Sequence, residues 1–189
     1  MATMGAGITA SMIVLGWNPL TAVLLGMVGG VLAGVFTGLI STKLNILNLL
    51  AGILTMTLLY SVNLRIMGRP NIPLIGRETL LDQFNNLLRP LGVSQYGELI
   101  FFAIVVIVIK VILDVFFNTE IGLALRATGD NEQMIISQGV DTDTMKITGL
   151  AISNGLVALS GGLVAQYSGF ADVGMGIGTI IAGLASVII

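Results

Sequence analysis

The chain has 189 residues, with 8 Lys or Arg, 10 Asp or Glu, no His and no Cys. Charged residues are 10% of it and mean hydropathy is +1.00. A soluble domain carries roughly 25% charge, so a water-facing surface cannot be covered here, and disorder, which needs low hydrophobicity, is excluded as well. The missing His and Cys exclude a His-based triad, a thiol nucleophile and a His/Cys metal site, so no catalytic or metal-ligating residue is assigned. A formal net charge of -2 points to no nucleic-acid partner.

Six apolar segments follow in order, at 1–16, 20–41, 44–64, 98–117, 147–167 and 173–189. A helix crosses the hydrocarbon with about 20 apolar residues. None of these runs alternates apolar with polar residues, as a barrel strand would. The expected fold is therefore all-α, a polytopic membrane protein with one transmembrane domain over 1–189. The first and last segments are short, and the chain opens and closes on apolar text without a signal-peptide n-region. That pattern suggests truncation at both ends.

The second segment carries Gly26, Gly30, Gly34 and Gly38 at spacing four. On a helix this makes a groove of bare backbone, which drives close packing in lipid. Gly155, Ala158, Gly161, Gly162 and Ala165 give the fifth segment a similar stripe, and Gly174, Gly178, Ala182 and Ser186 the sixth. In the fourth segment Lys110 and Asp114 stand four apart and share a helix face. They are expected to pair, with Lys110 snorkelling toward the near end of the span.

Two polar connections separate the segments. In 65–96, Pro70, Pro73 and Pro90 punctuate the chain, and Leu80, Leu81, Phe84, Leu87 and Leu88 recur at helical spacing. This predicts a short amphipathic helix at the membrane surface. In 118–146, Asp130 or Asn131 is a good N-cap and Gly139 a good helix stop. The spacing predicts a short helix over 132–138, exposing Met134, Ile135 and Ile136. Asp141 or Asp143 then caps the fifth segment. A capped loop helix with an apolar tip, tied by tight turns to two spans, suits the groove of a partner.

The residues Thr119, Gly122, Leu125, Arg126, Ala127, Gly129, Asn131, Gly139 and Val140 fit a pattern T-x-x-G-x-x-L-R-A-x-G-x-N ending in a Gly-apolar pair. Downstream stand Ser153, Asn154, Gly155, Ala158, Gly161 and Gly162, and upstream Gly38, Lys43 and Ile46. The chain here resembles the permease subunits of ABC importers of the ribose and branched-chain amino acid type. The stretch from Asn63 to Asn71 resembles a subgroup associated with binding proteins for aromatic amino acids. The resemblance implies that Arg126, Gly129, Asn131, Glu132, Gln133, Met134, Ile135, Ile136 and Gly139 form a cytoplasmic coupling helix and its approach. It also implies a separate ATPase subunit, an extracytoplasmic substrate-binding protein, a second permease copy and a bacterial inner or plasma membrane. Family members carry two alanines where this chain has Met134 and Ile135, which implies a partner groove adapted to bulkier residues.

The chain lacks a P-loop, because none of Lys43, Lys110 and Lys146 follows Gly and precedes Ser or Thr. It is therefore expected to bind no cofactor and not to be an enzyme, with ATP and Mg held by the partner ATPase. Expected polar groups of the translocation path are Asn45, Asn48, Thr55, Thr57, Asn154, Ser160 and Thr179. Each also fits a plain helix–helix hydrogen bond. Two rivals stay open. One is a secondary transporter or channel subunit driven by an ion gradient, for which only Lys110 and Asp114 offer buried charge. The other is a membrane scaffold. The positive-inside count does not decide orientation. Arg65, Arg69, Arg77 and Arg89 on one side oppose Lys43, Arg126 and Lys146 on the other, slightly favouring a cytoplasmic 65–96 connection. The resemblance implies the reverse.

Overall fold

The computed structural model describes residues 1–44, 46–89 and 96–176. In chain order the elements are α1 (Ala2–Val14), α2 (Pro19–Lys43), α3 (Asn48–Met67), β1 (Asn71–Pro73), α4 (Leu80–Leu88), α5 (Gly97–Phe117), α6 (Glu120–Asp130), α7 (Glu132–Ser137), α8 (Thr142–Ser168) and β2 (Phe170–Asp172). Among the described residues four helices, α2, α3, α5 and α8, have 25, 20, 21 and 27 residues and are apolar enough to cross a membrane. With 13 residues α1 is shorter than a span. The all-α multi-pass expectation holds. Asn45, Thr179 and most of the sixth segment, with Gly178, Ala182 and Ser186, lie outside the described residues.

The backbone groups into two compact units. One is Met1–Leu80 with the chain from Leu150 onward, and the other is Leu81–Gly149.

In the first unit α2 starts cleanly. Pro19 occupies its first turn, and the Asn18 side chain accepts a hydrogen bond from the Leu20 amide at 3.0 Å. The glycine stripe is buried against backbone. A Cβ on Gly26 would lie 2.8 Å from the Gly5 carbonyl oxygen, and one on Gly30 would lie 2.6 Å from that of Asn154. Gly5 in turn faces the Ala158 backbone, and Gly161 faces that of Ala2. So α1, α2 and the later part of α8 approach at backbone distance, as small-residue packing in lipid requires. The outward side of α2 exposes Leu20, Leu24, Val28, Leu32 and Phe36, which suits lipid tails.

Three buried hydroxyls of this unit, those of Thr9, Thr37 and Thr55, are satisfied. Thr9 Oγ1 donates to the Ala22 carbonyl at 3.3 Å. Thr37 donates to Thr55 Oγ1 at 3.1 Å, and Thr55 donates to the Ala51 carbonyl at 2.8 Å.

The connection after α3 holds a feature absent from the sequence reading. Gly68, at φ 66, ends α3, and β1 pairs antiparallel with β2, with Ile72 opposite Ala171. Bonds from the Leu74 amide to Gly169 O (2.8 Å) and from the Val173 amide to Pro70 O (2.9 Å) flank the ribbon. Ile72, Leu74, Ala171 and Val173 join Ala6, Ala10, Ile13 and Ala165 in one apolar core. The ribbon therefore anchors the end of α8 over α1.

In the second unit α4 is the expected amphipathic helix, and Phe84 packs edge-to-face on Phe101 at 5.3 Å. Two expectations for this unit need correction. Residues 118–146 hold two helices, α6 and α7, where one was expected, and α8 begins at Thr142, ahead of 147. Lys110 and Asp114 make no ion pair, and both are exposed. A basic residue one turn before an acidic one is the weaker order for such a pair, because both ends oppose the helix dipole.

Candidate functional site

The region that the sequence singles out is built from local caps. Thr119 Oγ1 accepts from the Gly122 amide at 3.2 Å and starts α6. Gly122 sits under the end of α5, where a Cβ would lie 2.6 Å from Phe117 Cα. Asn131, in extended conformation (φ -152, ψ 99), closes α6 and opens α7 at once. Its amide donates to the Ala127 carbonyl at 3.0 Å, and its Oδ1 accepts from the Met134 amide at 3.1 Å. One residue thus turns the chain between two helices.

The far end of α7 is equally defined. Gly139 adopts φ +83. Its amide donates to Ile136 O at 3.0 Å, and the Val140 amide donates to Ile135 O at 3.3 Å. This is the Schellman arrangement, which satisfies the last carbonyls of a helix and needs a left-handed residue at that position. Asp141 then caps α8, accepting at Oδ1 from the Asp143 amide (3.1 Å) and at Oδ2 from Thr144 Oγ1 (2.6 Å).

Glu132, the first residue of α7, reaches across this turn. Its Oε1 accepts from Lys146 Nζ at 2.5 Å and from Thr142 Oγ1 at 3.1 Å, both on the first turns of α8. The bonds from Lys146 and then Thr142 hold the Glu132 carboxyl below the usual glutamate range. Both side chains are about two-fifths exposed, at 42% and 39%, so solvent screens the attraction. The contact acts as a positional tie more than as a source of stability. Sequence reading missed it, because the partners stand 14 residues apart in a turn whose geometry was unknown.

Ile135 shares the Glu132 face, three residues on, and is 4% exposed. The expectation that Met134, Ile135 and Ile136 all project outward is therefore corrected. Met134 and Ile136 flank it, 56% and 54% exposed, and Gln133 is exposed beside them. A helix turns about 100° per residue, so three consecutive side chains cannot share one face.

The other singled-out residues separate. Gly129 is exposed, and a Cβ there would meet nothing within 4 Å. Arg126 lines a groove of about 520 Å³ with Asp114, Phe117 and Asn118.

The expected path residues that are described, Asn48, Thr55, Thr57, Asn154 and Ser160, line no common pocket among the described residues. Thr55 is spent on Thr37, and the exposed Thr57 hydroxyl bonds its own helix at Leu54 O, 2.9 Å. Asn48 accepts from Ser41 Oγ. Asn154 is half-buried, with its backbone against Gly30, and Ser160 is exposed. Three amides outside that set stand out instead, one of them Asn85, whose buried Oδ1 has no partner among the described residues. Among the described residues Asn63 Oδ1 has no partner, and Gln166 accepts at Oε1 from the Leu80 amide (2.7 Å) while its Nε2 has none. The signal of Asn63 and Gln166 in the sequence was an amide side chain inside or at the end of an apolar run.

The pattern of the family described as "Branched-chain amino acid transport system / permease component" matches residues 1–189. The chain belongs to this permease family. It is 46% identical over 187 residues to a tyrosine transport system permease protein of Clostridioides difficile (strain R20291), covering 99% of this chain and 60% of that protein. It is 36% identical over 170 residues to an uncharacterized protein of Rickettsia prowazekii (strain Madrid E), covering 89% of this chain and 57% of that one. The chain thus spans about three-fifths of these relatives' lengths. No solved structure matches.

Proposed function

We propose that this chain forms part of the translocating subunit of an ATP-driven importer for amino acids, with an aromatic amino acid as the first substrate to test. Support for the substrate class comes from the family and from the name of the Clostridioides relative. The proposed partners are a separate ATPase carrying ATP and Mg, an extracytoplasmic binding protein and a second permease copy, in a bacterial inner or plasma membrane. The 118–146 region faces the cytoplasm in this reading, and the 65–96 connection faces outside.

The observation that carries the proposal is the mounting of α7. It is short, capped at both ends, tied by Glu132 to α8, and leaves Met134 and Ile136 bare. Two large apolar side chains left bare on opposite flanks of one exposed helical turn suit a partner that grips the turn from both sides. Closure of the ATPase around ATP would displace α7. The short Gly139–Val140–Asp141 link and the Glu132 tie would pass that displacement to α8. Because α8 is one continuous helix, the push would reach its later residues, packed on α1 and α2 through Ala158 and Gly161. Alternating access needs such a rigid-body link between a motor and the spans.

The test uses the reconstituted complex with Met134→Asp and Ile136→Asp. Both should release the ATPase subunit on purification and lower substrate-stimulated hydrolysis, with membrane insertion unchanged. Full ATPase retention and normal hydrolysis in the double variant would exclude α7 as the coupling element.

A further inference from the structure

Arg126 leads away from α7. Its groove is formed where α6 folds back on the end of α5, through a turn in which the Thr119 amide donates to Phe116 O at 3.0 Å. Asp114 and Arg126 both line it, yet they form no ion pair with each other. The Asn118 side chain is already committed, donating through Nδ2 to the Asp114 carbonyl at 2.7 Å. Among the described residues neither charge has an ion-pair partner, so the groove presents an unpaired carboxylate and an unpaired guanidinium beside Phe117. A carboxylate in the last turn of a helix opposes the helix dipole, and a cation there relieves it.

The position narrows the ligand. α5 is long and apolar enough to span the membrane, so its end lies at the level of the lipid headgroups. Val111 and Ile107, one and two turns back on the Asp114 face, are 55% and 60% exposed. An acyl chain can lie along them while its headgroup enters the groove. A ligand of one charge would leave the opposite protein charge unmatched, and a zwitterion matches both. A primary ammonium donates hydrogen bonds to a carboxylate, which a quaternary one cannot do. A volume of about 520 Å³ is ample for a headgroup.

We infer that the Asp114–Arg126 groove binds a phospholipid with a primary-ammonium zwitterionic headgroup, the ammonium on Asp114 and the phosphate on Arg126. A free amino acid carries the same pair of charges, and the test separates the two sources. The protein is purified in detergent and offered phosphatidylethanolamine and phosphatidylcholine at equal concentration. Lipid retained after washing is counted by native mass spectrometry. Phosphatidylethanolamine should be retained over phosphatidylcholine, and the preference should fall roughly tenfold in Asp114→Asn and in Arg126→Gln, the size of losing one charge-assisted bond. Lys110→Gln, one turn away and outside the groove, should keep it. Equal retention of the two lipids, or an unchanged preference in both variants, would overturn the site. Displacement of the lipid by millimolar free amino acid would overturn the lipid assignment in favour of a soluble zwitterion.

Discussion

Glu132 and Lys146 tie the start of α7 to the second turn of α8, with Oε1 and Nζ 2.5 Å apart. The tie spans the Schellman turn at Gly139, so α7 is held at both ends. If it transmits motion, breaking it should uncouple hydrolysis from transport without dismantling the complex. Glu132→Gln and Lys146→Met should keep the ATPase subunit bound and lower uptake per ATP hydrolysed several-fold. The exchanged pair, Glu132→Lys with Lys146→Glu, should restore part of the coupling. Uptake and hydrolysis measured together in proteoliposomes check this.

The same tie sets a pH response. The Glu132 carboxyl is held below its ordinary value, chiefly by Lys146. A depressed acid contributes order that is fully present above its free value and is lost as pH falls through the lowered one. Protection of α7 amides from hydrogen exchange, corrected for intrinsic rate, should be flat from roughly pH 6 to 8 and decline only below the usual glutamate range. In Glu132→Gln that decline should vanish.

Gly139 is required for its backbone and not for space, since a Cβ there would meet nothing within 4 Å at φ +83. Left-handed backbone costs a residue with a Cβ roughly 1–2 kcal/mol, and Asn tolerates it best. Gly139→Val should lower uptake and loosen α7, while Gly139→Asn should stay near the parent. Equal damage from both would point to a contact at this position.

Gly30 is required for space. Its missing Cβ leaves room for Ala158 and for the Asn154 carbonyl, 2.6 Å from where that Cβ would stand. Gly30→Val should separate α2 from α8 and cost about 1–3 kcal/mol, as overpacking does. Gly52, where a Cβ would meet nothing within 4 Å, should accept Val at little cost. Thermal unfolding in detergent compares the two.

What the sequence made legible was local or compositional. The spans followed from runs of apolar text, and α4 from its leucine spacing. The Asn131 cap and Gly139 stop follow rules that need only a few neighbouring residues. α6 was hidden because its Thr119 cap precedes a mixed stretch with two glycines, Gly122 and Gly129, that reads as loop. The β1–β2 ribbon was not legible, because it joins residues 101 apart, as Asn71 and Asp172 show. The inward turn of Ile135 depends on the tertiary packing of α7, which no periodicity of a six-residue helix reveals. Site prediction fared unevenly for the same reason. Glu132 was named within the coupling segment, but its partner Lys146 was visible only in three dimensions.

The central claim is that α7 touches an ATPase. The chain has no cysteine, so a single one can be placed at will. A cysteine at Met134 carrying a short photo-activated cross-linker, in the complex purified with its ATPase, tests contact directly. The account predicts a covalent adduct between this position and the ATPase subunit, with a yield that changes when ATP is bound. The same label at Gln83 on α4 should give none. An adduct from Gln83 and none from Met134 would contradict both the coupling role of α7 and its cytoplasmic placement.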